Sequence, residues 1–301
     1  DPADRMPGER FLDRYLPAVQ KIVDEYPQSA NARKACNELA MIQYESGDVS
    51  AAAQSYLHVV QQYPNTAEAQ TALSNLKDVY VSQGKVDEYK ALAAKAGKPL
   101  SQDELETMLH DAAIKAVTKE DYVSAQNYYG QLKSQTSSES MRLEAQIGEA
   151  RAAFAAKDYA SVVRLATPIL ADGSKVSPEI QSEIRMDRAE SYLAQKAVNK
   201  AVADLNELRK DDKTKYGAQA TVRLAQYQYD MKQYDTAEKT LLDFIDSGTS
   251  HTYWLARAFV LISDVCAKQG RDIEAQQYLL SLQSNYTENE EINKMIEERL
   301  K

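Results

Sequence analysis

Nucleophilic or metal-assisted chemistry in this chain would have to draw on three histidines, His58, His110 and His251, and two cysteines, Cys36 and Cys266. Such chemistry needs its groups held in one fixed constellation. Here no second histidine lies at helical spacing from any of the three. No Cys-x-x-Cys, His-Glu-x-x-His or glycine-rich phosphate loop occurs either. The histidines therefore read as structural or surface residues, and no catalytic residue, metal ligand or cofactor is expected. The formal charge of -9 opposes a nucleic-acid partner, which needs a dense Lys/Arg face.

What remains is binding, and the elements that would position a binding surface are legible as a repeat. Gly 10 and Pro 8 in 301 residues are too few for a strand-and-turn protein. Tyr26-Pro27-Gln28-Ser29-Ala30 recurs 37 residues later as Tyr63-Pro64-Asn65-Thr66-Ala67, and Gly47 recurs as Gly84 at the same interval. Sliding that period onward finds a short turn followed by Ala52, Tyr89, Ala125, Val162, Ala201, Ala237 and Ala275, at intervals of 37, 36, 37, 39, 36 and 38. Alanine dominates this position, as it must where two helices cross closely.

Each period reads as two amphipathic helices, Cys36, Leu39, Ala40 and Tyr44 before the first turn and Ala52, Tyr56, Val59 and Val60 after it. The later turns are Glu120-Asp121-Tyr122, Lys157-Asp158-Tyr159, Lys196-Ala197-Val198, Lys232-Gln233-Tyr234 and Gly270-Arg271-Asp272. Ser101 with Glu104 and Thr287 with Glu290 have capping-box spacing, and Ser177 before Pro178 fits an N-cap followed by proline at N1. Pro168 is expected to kink or end its helix near Thr167. The expected architecture is a single all-α array: a partial repeat over 1–28, seven hairpins over 29–286 and a capping helix over 287–301. Cys36 and Cys266 lie six repeats apart in it, beyond disulfide reach, and are expected to be reduced and buried. The start at Asp1-Pro2 without methionine leads us to expect a fragment of a longer or processed protein, with any signal peptide or lipid anchor in the missing part.

The hairpins resemble tetratricopeptide repeats. Numbered from Arg33, the first full unit places Ala40 at 8, Gly47 at 15, Ala52 at 20, Tyr56 at 24 and Pro64 at 32 of that pattern. The Tyr-Pro-x-Ser/Thr-Ala junctions and the period longer than 34 are similar to repeats of Gram-negative envelope proteins, the outer-membrane assembly lipoproteins and Tol-Pal-associated periplasmic proteins. The resemblance implies a right-handed superhelical solenoid that binds a protein or peptide partner in an envelope assembly. It implies a periplasmic or outer-membrane-associated location, with the cytoplasm as the alternative. Against that background the Asn285-Tyr286-Thr287 sequon reads as a chance match. A carbohydrate-binding lipoprotein of the starch-utilisation type is the alternative function, although the long aromatic-bearing loops of that family are missing here. Neither nucleic-acid binding nor membrane insertion is expected.

In such a solenoid the first helices line the concave wall. Position 9 carries Met41, Asp78, Ile114, Arg151, Glu190, Gln226 and Asp264; position 12 carries Tyr44, Val81, Val117, Phe154, Leu193, Tyr229 and Ala267. The basic carboxylate clamp of some tetratricopeptide domains does not fit, since only Lys34 and Asn37 match and the next unit offers Thr71 and Ser74. The partner-binding candidates are Tyr44, Arg151, Phe154, Gln226, Tyr229 and Arg257. Trp254 reads as a wedge between repeats.

Overall fold

The computed structural model describes residues 8–211, 213–286 and 289–301. Helix makes up 82 % of it, and no strand occurs among the described residues. The chain divides into two compact units, Asp1–Ala152 and Ala153–Lys301.

Unit 1 contains α1 (Gly8–Glu25), α2 (Ala30–Glu45), α3 (Val49–Gln62), α4 (Ala67–Ser82), α5 (Val86–Lys95), α6 (Gln102–Thr118), α7 (Tyr122–Gln135) and most of α8 (Glu139–Ala155). Unit 2 takes the end of α8 and contains α9 (Tyr159–Ala171), α10 (Pro178–Ala194), α11 (Val198–Leu208), α12 (Lys215–Asp230), α13 (Tyr234–Asp246), α14 (Thr252–Lys268), α15 (Asp272–Asn285) and α16 (Glu290–Leu300). Hairpins therefore run from α2/α3 to α14/α15 with α1 and α16 flanking them, as the periodicity predicts.

The crossing positions explain why the hairpins close. Ala52, Ala125, Ala201 and Ala237 are fully buried, and Tyr89, Val162 and Ala275 nearly so. Each turn is also closed in one way. Gly47, Gly84, Glu120, Lys157, Lys196, Lys232 and Gly270 all have positive φ, between 59° and 89°. The next residue in each case donates its N–H to the carbonyl five residues back at 2.8–2.9 Å: Asp48 to Gln43, Lys85 to Tyr80, Asp121 to Ala116, Asp158 to Ala153, Ala197 to Tyr192, Gln233 to Gln228 and Arg271 to Cys266. This left-handed cap satisfies carbonyls that the ending helix would leave open. Four of the seven positions carry Glu or Lys in a conformation that costs a side-chain-bearing residue about 1 kcal/mol.

Helix starts follow equally local rules. Ser29, Asp48, Thr66, Asp121, Asp158, Ser177 and Thr214 each accept a first-turn N–H at 3.0–3.3 Å. Ser101 and Glu104 form the expected capping box. Thr287 lies outside the described residues, and the N-cap of α16 is Asn289, which accepts from the N–H of Ile292 at 3.2 Å. Pro168 does not end α9, which continues to Ala171. In the last turn the proline forfeits one backbone bond, and its own carbonyl accepts from the N–H of Asp172.

The core of unit 1 is one continuous cluster from Val19 to Ala152, centred on Leu76, Met108, Leu109 and Leu132. In unit 2 the apolar packing is divided among separate clusters, including Met186, Ala189 and Leu205 between α10 and α11, Leu241, Phe244 and Ile262 among α12–α15, and Ile292 and Ile296 of α16 against α14 and α15. Polar groups enter the gaps. Asp204, its side chain 6 % exposed, is gripped by Arg188 at 2.7 and 2.8 Å, with Arg185 at 3.5 Å. These arginines occupy tetratricopeptide positions 4 and 7, where the sequence departs from the repeat pattern, and the buried carboxylate accounts for them.

Candidate binding groove

In unit 2 the first helices α10, α12 and α14 lie side by side, and α16 packs on α14. Their shared face carries opposite charges one repeat apart. Arg223 of α12 meets Glu190 of α10 through two bonds of 2.5 and 2.9 Å. Arg257 of α14 meets Glu291 of α16 at 2.9 Å, and Tyr253 donates its hydroxyl to the other oxygen of that carboxylate at 3.0 Å. Arg299 of α16 returns to Asp264 of α14 at 2.6 and 2.8 Å. Two-point contacts of this kind fix the guanidinium plane as well as its charge.

Between these pairs is a shallow groove that encloses only about 60 Å³, lined by Arg223, Gln226, Trp254, Arg257, Asp264, Met295 and Arg299 over Val222, Val260 and Leu261. Gln226 donates to Asp230 at 2.9 Å. Trp254 stands edge-on to Tyr253, ring centroids 5.0 Å apart, and packs on the α12–α15 cluster as the wedge its sequence position suggests. Tyr229 leans on Tyr234 at 5.6 Å, and burial followed by the nearby charge of Asp264 raises its hydroxyl pKa. Beyond Arg223, a second recess of about 430 Å³ is lined by Phe154, Tyr159, Glu190 and Leu193.

Four of the six sequence candidates, Phe154, Gln226, Tyr229 and Arg257, thus lie on one face of unit 2. Arg151 is an exposed residue at the end of unit 1, and Tyr44 is packed against the unit 1 core. The remaining long side chains are less free than their positions suggest. Gln226 and Tyr229 are half-buried, and Arg257, its side chain 26 % exposed, already holds a carboxylate. Sequence reasoning missed Arg223 and Arg299 as groove residues. Their signal is the spacing of opposite charges on successive first helices: 33 residues from Glu190 to Arg223, 34 from Arg257 to Glu291 and 35 from Asp264 to Arg299.

The chemistry-capable residues have structural surroundings. His58 packs edge-on to Tyr63, His110 sits 3.3 Å from Glu144, and a ring nitrogen of His251 is 3.0 Å from the Lys213 carbonyl. Cys36 and Cys266 are free and buried, and burial pushes both thiols up, away from the reactive thiolate. Among the described residues no cluster of three His, Cys, Asp or Glu side chains could hold a metal ion, and no helix is long and apolar enough to cross a membrane.

No family model and no curated protein matches this chain. Solved structures do. The apo form of the quorum sensor NprR from B. thuringiensis is similar over 96 % of this chain and 79 % of its own, at TM-score 0.55 and 14 % identity. A signal transduction ATPase with numerous domains from Pyrococcus horikoshii, which carries a tetratricopeptide repeat sensor, is similar over 91 % of this chain at TM-score 0.51 and 14 % identity. The chain spans 46 % of that protein's length. At this identity the likeness is one of fold: an all-α, tetratricopeptide-like array of helical hairpins.

Proposed function

We propose that this chain is a protein-binding scaffold without catalysis of its own, and that a partner segment lies along the α12–α14–α16 face of unit 2. The observation that carries this reading is the groove itself. Arg223, Gln226, Trp254 and Arg257, all half-buried, present polar or aromatic surface over a shallow groove whose floor, Val222, Val260 and Leu261, is already buried. Trp and Arg are the side chains over-represented at interface hot spots. Each groove arginine keeps donors beyond those used by its internal carboxylate, so a segment with acidic and apolar side chains finds both complements. The two similar structures, a quorum sensor and a protein with a tetratricopeptide repeat sensor, support recognition as the use of this fold. The finer reading, a role in a Gram-negative envelope assembly, is supported by the Tyr-Pro-x-Ser/Thr-Ala junctions.

A photo-crosslinking residue at Gln226 tests both parts. It is expected to trap one protein from an envelope fraction and not from cytosol. Arg257→Ala and Trp254→Ala are each expected to cut the yield, with Arg257→Ala moving Tm by no more than about 2 °C. An unchanged yield in both variants would remove the groove from consideration, and a cytosolic partner would remove the envelope role.

A further inference from the structure

Unit 1 holds a cleft that the groove reading does not use. α5 is ten residues long, whereas the second helices α3, α7, α9, α13 and α15 run to 13 or 14, and α11, of 11 residues, is extended by a 3₁₀ turn over Arg209–Asp211. It stops at Lys95 because Gly97 turns left-handed at φ 74° and the N–H of Lys98 returns to the Ala93 carbonyl at 2.9 Å, after which Pro99 prevents continuation. The shorter helix leaves a recess beside α3 and α4, in which Val60, Ala69 and Leu73 keep no more than 8 % of their surface exposed. The result is a cleft of about 700 Å³, within the range of small-ligand sites.

Its two sides differ in chemistry. Val60, Ala69, Leu73 and Leu92 form an apolar floor, and the charged residues of its lining are Lys95 and Lys98 alone. Both lysines are exposed, and among the described residues no carboxylate pairs with either. Ala69 and Gln70 of the first turn of α4 form another wall, and the one acid of that turn, Glu68, is held by Arg33 at 3.3 Å and does not line the cleft. In a chain of net charge -9, an apolar floor with a purely cationic rim selects for one class of ligand.

The geometry points to a binding site for a small anionic amphiphile, its apolar body on Val60, Leu73 and Leu92 and its anionic head between Lys95 and Lys98. The site is independent of the partner groove, since every residue in it belongs to unit 1. The test is amide NMR of the full chain titrated with octanoate, octyl phosphate and, as the uncharged control, octanol. Octanoate or octyl phosphate is expected to shift the amides of Ala69, Ala96, Gly97 and Lys98 saturably. The anion that binds more tightly identifies the head group as carboxylate or phosphate. Octanol, and either anion with the Lys95→Gln/Lys98→Gln double variant, should bind at least about fivefold more weakly, the loss of roughly 1 kcal/mol of charge-assisted contact. Gln70→Trp, a change at an exposed wall residue, should block the cleft while Lys95 and Lys98 remain. The proposal is overturned if neither anion moves these amides, if octanol binds as well as the anions, or if both variants bind normally.

Discussion

From α3 to α7 the polar groups that reach from helix to helix are largely neutral, whereas from α10 to α16 they are largely charged. In that stretch of unit 1, Tyr89 donates to the Leu73 carbonyl at 3.0 Å, Tyr128 donates to the Gly84 carbonyl, and Asn75 donates to the Tyr56 hydroxyl at 3.2 Å, while the ion pairs of unit 1, Arg33 with Glu68 and Lys133 with Glu149, join α2 to α4 and α7 to α8. In unit 2 the equivalent bridging is done by Arg188 with Asp204, Arg223 with Glu190, Arg257 with Glu291, Arg271 with Glu238 and Arg299 with Asp264. One hairpin can therefore be tied by a buried phenol under a continuous core or by ion pairs between smaller clusters. The second solution leaves charged, half-exposed side chains on the face where a partner can compete for them.

The sharpest way to break this comparison is at Asp204. Asp204→Ala leaves Arg188 and Arg185 facing a buried void and is expected to cost about 3 kcal/mol, because a buried pair robbed of one partner retains an uncompensated charge. Urea unfolding followed at Trp254, the single tryptophan, reads unit 2 directly. A loss below about 1 kcal/mol, the size of an exposed ion pair, would mean that the cluster is wetter than its geometry suggests.

Next come Ala125→Leu in unit 1 and Ala237→Leu in unit 2, both at fully buried helix crossings. Each is expected to cost about 1–3 kcal/mol through overpacking. Similar shifts in urea midpoint sharpen the comparison by confining the difference to the polar layer. An unchanged midpoint in either would dissolve the shared crossing rule.

Tyr89→Phe should then cost about 1 kcal/mol, the net value of one hydrogen bond. The same chemistry gives the units different alkaline limits. Burial raises the hydroxyls of Tyr56, Tyr63, Tyr80, Tyr89, Tyr128 and Tyr129 in unit 1, and burial with the neighbouring Glu38 pushes Tyr15 up to about 12, against Tyr229, Tyr253 and Tyr278 raised by burial in unit 2. Above pH 10 the unfolded phenol loses its proton while the folded one keeps it, so the folded state binds more protons and its stability falls with rising pH. Hydrogen exchange between pH 9 and about 11 is expected to show unit 1 losing protection before unit 2. The reverse order would refute the assignment of neutral ties to α3–α7.

The smallest effect has the opposite sign. Lys196→Gly removes a side chain from φ 60° and is expected to stabilise by up to about 0.5 kcal/mol, the αL relief being partly offset by the extra freedom of glycine when unfolded. Destabilisation in a melting experiment would mean that the turn lysine is held by contacts worth more than its strain.

Much of the fold was legible because it is written locally and repeatedly. The seven crossing positions are all buried, and the turns fall at the same intervals of 37, 36, 37, 39, 36 and 38 residues. Pro168 misled because proline in the last turn of α9 costs only one bond there, so packing carries the helix past it. The face was harder to read. Position numbers place Phe154, Gln226, Tyr229 and Arg257 on first helices, but a single helix cannot reveal that Arg257 is held from α16 or that Arg223 is held from α10. The cleft beside Lys95 has a weak signal as well, since it arises from a helix that is too short.

The shared turn has a consequence for how such a chain can change over time. Because each of the seven turns closes with the same left-handed residue and the same five-residue return bond, the backbone enters and leaves every turn in one local geometry. A duplication or deletion whose two breakpoints fall in equivalent turns rejoins ends that already match. Unequal recombination at these points adds or removes whole layers without a new loop, so array length is free to vary while the contacts inside each hairpin are inherited intact.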